Sequence, residues 1–106
     1  MDDIAKVCQK LNHMIRESAE YQMYITARNN LKANEQLYNS LMDFKNRYSD
    51  VLKYTDGNPY DEIIRIYYEN DDLIHNSIVN EYLRAESALS KLLRDVISGV
   101  MDDINY

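Results

Sequence analysis

Apolar residues at Ile4, Val7, Leu11 and Met14/Ile15 recur in steps of three and four, which is the spacing of one helix face. Asp2 or Asp3 suits the positive end of that helix, and the pattern predicts a helix over about residues 3–17. Ser18 offers a second cap just before Glu20, and Tyr21, Tyr24, Ile25 and Leu31 continue on a shifted face. A joint near Ser18 and a short helix over about 19–32 are therefore expected. Asn34 is the next cap, and Leu37, Leu41, Phe44, Tyr48 and Val51 then step by 4, 3, 4 and 3 in a heptad seam.

Asp56-Gly57-Asn58-Pro59 is the strong break in the chain. Gly suits the residue just past a helix end, and Asn followed by Pro suits the start of the next. Asp61 and Glu62 complete an acidic first turn, and Ile63, Ile64, Tyr67 and Ile74 form the apolar stripe of that helix. His75-Asn76-Ser77 is a weaker break. After it, Ile78/Val79, Tyr82, Ala85/Glu86, Leu89, Leu92/Leu93, Val96/Ile97, Val100 and Ile104 continue for about 27 residues, or about 40 Å of helix. The expectation is an all-α fold of four to five helices. Two long antiparallel helices form a hairpin-like bundle, and residues 1–106 make a single helical domain.

Composition narrows the choice further. The 106 residues include only 2 Gly and 1 Pro, too few for the turns of a sandwich or barrel. No Gly-rich segment exists to cradle a phosphate. Residues 1–56 carry 8 basic and 8 acidic groups, whereas residues 57–106 carry 4 and 10, the whole net charge of −6. Proteins that bind duplexes neutralise phosphates with Lys and Arg, so direct nucleic-acid binding is not expected, and a basic or neutral protein partner is. The single cysteine allows no internal disulfide, no apolar run reaches a membrane span of about 20 residues, and the acidic start is unlike a secretory leader. A cytoplasmic protein without membrane insertion is expected.

A long thin helical chain exposes apolar stripes that a second copy or another protein covers. Ten tyrosines against one phenylalanine and no tryptophan fit half-buried seams and interfaces, because tyrosine joins an apolar body to a polar tip. A homodimer is expected. The candidate oligomer or partner contacts are Leu41, Phe44 and Tyr48 on the first seam, with Tyr82, Glu86 and Leu89 on the second.

The chemistry-bearing residues form no enzyme signature. His75 follows Asp72 by three residues and Asp71 by four, a spacing that occurs in helical di-metal sites. Such a site needs a second element of the same kind, and His13 has Lys10 three residues before it. Glu17, four after His13, suits a local helix pair. Cys8 shares the face of Ile4 and Leu11 and reads as a partly buried apolar filler. The serines lie in no nucleophile setting. No catalytic residue, metal site or cofactor is expected; the alternatives are a metal protein or enzyme centred on His75, Asp71 and Asp72, or a self-assembling structural protein.

Glu17-Ser18-Ala19-Glu20-Tyr21, then Leu31 and Asn34 through Phe44, then Tyr82-Leu83-Arg84-Ala85-Glu86 through Leu92 resemble the YlbF/YmcA family of small helical bacterial proteins. The similarity covers nearly the whole chain. It implies an all-helical, usually self-associating regulator connected with competence, sporulation and biofilm formation. Some members act in a complex that modulates messenger-RNA processing by a membrane-bound endoribonuclease. Members of that complex carry extra C-terminal cysteines tied to iron–sulfur binding, and with Cys8 alone the resemblance implies no cluster here. Taken together, the expected function is a non-catalytic adaptor that binds a protein partner, in an RNA-processing complex, through a helical face.

Overall fold

The computed structural model of the protein describes residues 2–102 and residue 104. Every regular element among them is helical: α1 (Asp2–Arg16), α2 (Ala19–Ala33), α3 (Glu35–Tyr54), α4 (Tyr60–Glu69), α5 (Asp71–Ile74) and α6 (Ser77–Met101). The all-α expectation holds, but six helices replace the expected four to five. Asn70 makes the difference. Its backbone N–H reaches the carbonyls of both Ile66 and Tyr67 at 3.2 Å, and its side-chain Nδ2 donates to the Ile66 carbonyl at 2.7 Å. A side chain that competes for helix carbonyls ends the helix locally, so α4 stops and α5 starts afresh.

The other boundaries follow local capping chemistry. Ser18 Oγ donates to the Ile15 carbonyl at 2.6 Å and accepts the Tyr21 N–H at 3.2 Å, which closes α1 and opens α2. Asn34 Oδ1 accepts the Leu37 N–H at 3.1 Å and caps α3. Gly57 adopts φ +77°, a left-handed conformation that favours glycine, and Asn58 Oδ1 accepts the Tyr60 N–H at 3.0 Å. Asn76 Oδ1 accepts the N–H groups of Ile78 and Val79 at 2.9 and 3.2 Å, so it is the cap of α6.

The chain divides into two compact units. The first joins Met1–Arg28 to Tyr82–Tyr106, and its buried apolar residues are Ala27, Tyr82 and Ala85. None of the residues of α1 is buried. The second unit is Asn29–Glu81, where α3 packs on α4 and α5 and these on each other. Its core holds Leu31, Leu41, Ile66, Leu73 and Val79. No helix among the described residues is long and apolar enough to cross a membrane.

Candidate interaction surface

In the second unit, the heptad seam of α3 divides by depth. Leu41 is 1% exposed and belongs to the core, whereas Phe44 and Tyr48, one and two turns on, are half-buried. Their rings stack at 6.4 Å between centroids, and Tyr67 of α4 meets both edge-on, at 5.4 Å from Phe44 and 6.2 Å from Tyr48. Beside this trio, Arg47 Nη2 donates to Glu69 Oε2 at 2.7 Å and ties α3 to α4. That hydrogen bond raises the Arg47 guanidinium above its ordinary range and holds the Glu69 carboxyl below its own. The trio is thus a fixed aromatic platform with a polar edge.

In the first unit, Tyr82 is 6% exposed, and its hydroxyl donates to Glu86 Oε2 at 3.2 Å. The Tyr24 ring lies 5.7 Å from the Tyr82 ring, and the Arg28 guanidinium sits 5.9 Å over Tyr24. Arg28 Nε is buried without a hydrogen-bond partner among the described residues. Glu86 and Leu89 are half-buried. Of the six residues expected to touch a partner, Leu41 and Tyr82 therefore lie inside their own unit, and Phe44, Tyr48, Glu86 and Leu89 retain accessible surface.

Burial, then hydrogen bonding with Tyr24 and the charge of Glu86, push the Tyr82 phenol well above its ordinary value of 10.0. The neutral phenol is the form the fold prefers. Its contribution to stability is therefore complete below pH 10.0 and is lost as pH rises through the folded value. In an alkaline titration followed by phenolate absorbance, one tyrosine should ionise only as helical circular dichroism disappears. Tyr82→Phe should remove that late step. Complete tyrosine ionisation near the ordinary value with the helices intact would contradict the placement of Tyr82.

The histidine candidates make local pairs. His75 Nδ1 lies 3.3 Å from Asp71 Oδ1 and 2.9 Å from the Asp71 backbone carbonyl, at an exposed helix end. His13 Nε2 lies 3.2 Å from Oε1 of its neighbour Glu17. The described residues contain no group of three or more His, Cys, Asp or Glu arranged to hold a metal. Cys8 is exposed rather than partly buried, because the α1 face it shares is not covered. An open groove of about 620 Å³ in the second unit is bordered by Ser40, Tyr68, Asn70, Asp71 and Asp72. Its carboxamides Asn34 and Asn76 already cap helices, so it presents carboxylates and a phenol rather than a nucleophile with a base.

The sequence pattern gives the stripe of α4 at Ile64 and Tyr67 without Tyr60 and Tyr68 and without its exposure. On α4, Ile66 is buried and Ile63 half-buried, Tyr67 packs against α3 yet keeps an exposed side, and Tyr60, Ile64 and Tyr68 are exposed. At 100° per residue Ile66, Ile63, Tyr67, Tyr60, Ile64 and Tyr68 form one arc about 200° wide, and that width, more than a single core contact covers, is the signal.

The family described as "Control of competence regulator ComK, YlbF/YmcA" matches residues 4–105. A UPF0342 protein of Desulfitobacterium hafniense (strain Y51) is 31% identical over 100 residues, covering 88% of this chain and 77% of that relative. No solved structure gives a significant match.

Proposed function

Because the chain belongs to the YlbF/YmcA family of competence-control regulators, we propose that it is a non-catalytic regulatory adaptor. It self-associates in the cytoplasm and binds a protein partner through its helical faces. The partner is a component of an endoribonuclease-dependent RNA-processing assembly, and the outcome is developmental control. The observation that carries this reading is the set of large apolar side chains left in solvent, among them Ile4, Val7, Met14, Tyr60, Ile64, Ile97 and Val100. Exposed apolar and aromatic surface on this scale is characteristic of protein-binding faces. The aromatic platform of Phe44, Tyr48 and Tyr67 supplies a rigid anchor, since interface energy concentrates in such side chains. Glu86 and Leu89 supply the second contact, and Leu41 and Tyr82 support the two contacts from beneath. The excess of carboxylates in residues 57–106 favours a neutral or basic partner.

Quantitative affinity capture from the native cell tests the proposal. Wild-type protein should retain RNA-processing proteins at a saturable ratio, and Phe44→Glu or Glu86→Lys should reduce that retention at least about tenfold, which is about 1.4 kcal/mol of binding. Unaltered helical circular dichroism in both variants keeps the comparison clean. Retention of further copies of this chain alone would favour a self-assembling structural protein instead.

A further inference from the structure

The loop between α3 and α4 carries the one Asp-Gly step in the chain, Asp56-Gly57. An aspartyl residue before glycine closes readily into a five-membered imide, because glycine sets no side chain beside its own amide nitrogen. Both residues are exposed. Gly57 adopts φ +77°, and a Cβ built on it would meet nothing within 4 Å, so no neighbouring element obstructs the ring. The loop is anchored at its ends, by the Thr55 N–H on the Val51 carbonyl at 3.1 Å and the Tyr60 N–H on Asn58 Oδ1 at 3.0 Å. Among the described residues no acceptor holds the Gly57 N–H, and no donor or cation holds the Asp56 carboxylate. Other positions lack one of these conditions. Asp43 and Asp50 lie inside α3, where the next N–H is bonded to the preceding turn, and Phe44 and Val51 follow them. Asn58 precedes Pro59, which has no N–H to give. Asn76 spends its side-chain oxygen on the N–H groups of Ile78 and Val79.

We infer that Asp56 is a site of spontaneous isomerisation to isoaspartate, and that the aged loop is a substrate for an S-adenosylmethionine-dependent isoaspartyl methyltransferase. In the first step the Gly57 amide nitrogen attacks the side-chain carboxyl carbon of Asp56. A carbon–nitrogen bond forms, the amide proton and the carboxyl hydroxyl leave together as water, and a cyclic imide remains. Water then opens the imide. Attack at the former side-chain carbonyl restores aspartate. Attack at the main-chain carbonyl gives isoaspartate, whose main chain runs through the former side chain. Water leaves in one step and returns in the next, so the mass is unchanged and no other co-reactant is consumed. The product carries one more methylene in the link between α3 and α4, and it presents a free α-carboxylate in an exposed loop. Methylation moves the methyl group from the sulfonium sulfur to that carboxylate oxygen and leaves the donor as a thioether.

Ageing the intact protein at neutral pH and physiological temperature tests the site. Trypsin releases residues 54–65 as one peptide. Ageing should split that peptide into two of equal mass. The new form should resist endoproteinase cleavage before Asp56 and should accept a labelled methyl group from S-adenosylmethionine and purified isoaspartyl methyltransferase. The peptides that carry Asp43 and Asp50 should gain isoaspartate at least about tenfold more slowly. Asp56→Glu keeps the charge and removes the five-membered ring, so it should abolish both the second peptide and the methyl acceptance with helical circular dichroism unchanged. A single 54–65 peptide, when a free synthetic peptide of the same sequence has isomerised, overturns the site, because the fold then protects it. Isoaspartate that accumulates equally at Asp43 and Asp50 overturns it as well. A split peptide that accepts no methyl group overturns the methyltransferase half and leaves the isomerisation standing.

Discussion

Tyr82→Ala should destabilise the protein by about 3–5 kcal/mol, the cost of removing a large buried aromatic ring and leaving a cavity. Tyr82 is enclosed, its ring meets Tyr24, and its hydroxyl donates to Glu86 at 3.2 Å. The alanine variant loses the packing and leaves the neighbouring polar groups without that hydroxyl. Small domains hold only about 5–15 kcal/mol of stability, so a fall of about 15 °C or more in melting temperature is expected. Tyr82→Phe keeps the ring and removes the hydroxyl, and it should cost about 1 kcal/mol. The contrast between the two variants, followed by circular dichroism, separates packing from hydrogen bonding. Equal melting temperatures for wild type and Tyr82→Ala would remove Tyr82 from the core.

Leu41→Ala should cost about 2–5 kcal/mol for a related reason. Leu41 is fully buried in the second unit together with Leu31, Ile66 and Val79. Its neighbours on the seam, Phe44 and Tyr48, are only half-buried, so Tyr48→Ala should cost less than Leu41→Ala in the same urea titration. A Leu41→Ala variant as stable as wild type, with altered self-association, would instead make Leu41 an intermolecular contact.

Much of the fold was legible because its punctuation is local. Ser18, Asn34 and Gly57 act through side chains or backbone angles that belong to the residue and its nearest turn. Asn70 was harder to read. The apolar positions on either side of it stay in helical phase, Ile63 and Ile66 before it and Leu73 after it, so periodicity carries straight across the interruption. Only the competition of its amide for the Ile66 carbonyl breaks the helix. Periodicity also says which face of a helix is apolar and not whether anything covers it. That is why Cys8 was expected to be partly buried and is exposed, and why Tyr82 was grouped with Glu86 and Leu89 as a surface contact. The apolar stripe of α4 is legible at Ile63, Ile64 and Tyr67, but its extension to Tyr60 and Tyr68 and its exposure are not, because Ile63 and Ile64, adjacent in sequence, point about 100° apart on a helix. Ile63 is half-buried and Ile64 exposed.

The function proposed for this chain is to hold another protein. Photo-crosslinking in the living cell tests it most directly, with a benzophenone amino acid placed at Phe44 on the aromatic platform. Covalent adducts with a component of an RNA-processing assembly are expected, reduced when Tyr67 is replaced by glutamate. Efficient labelling that yields no protein adduct at Phe44, in cells where the regulator is active, would contradict it.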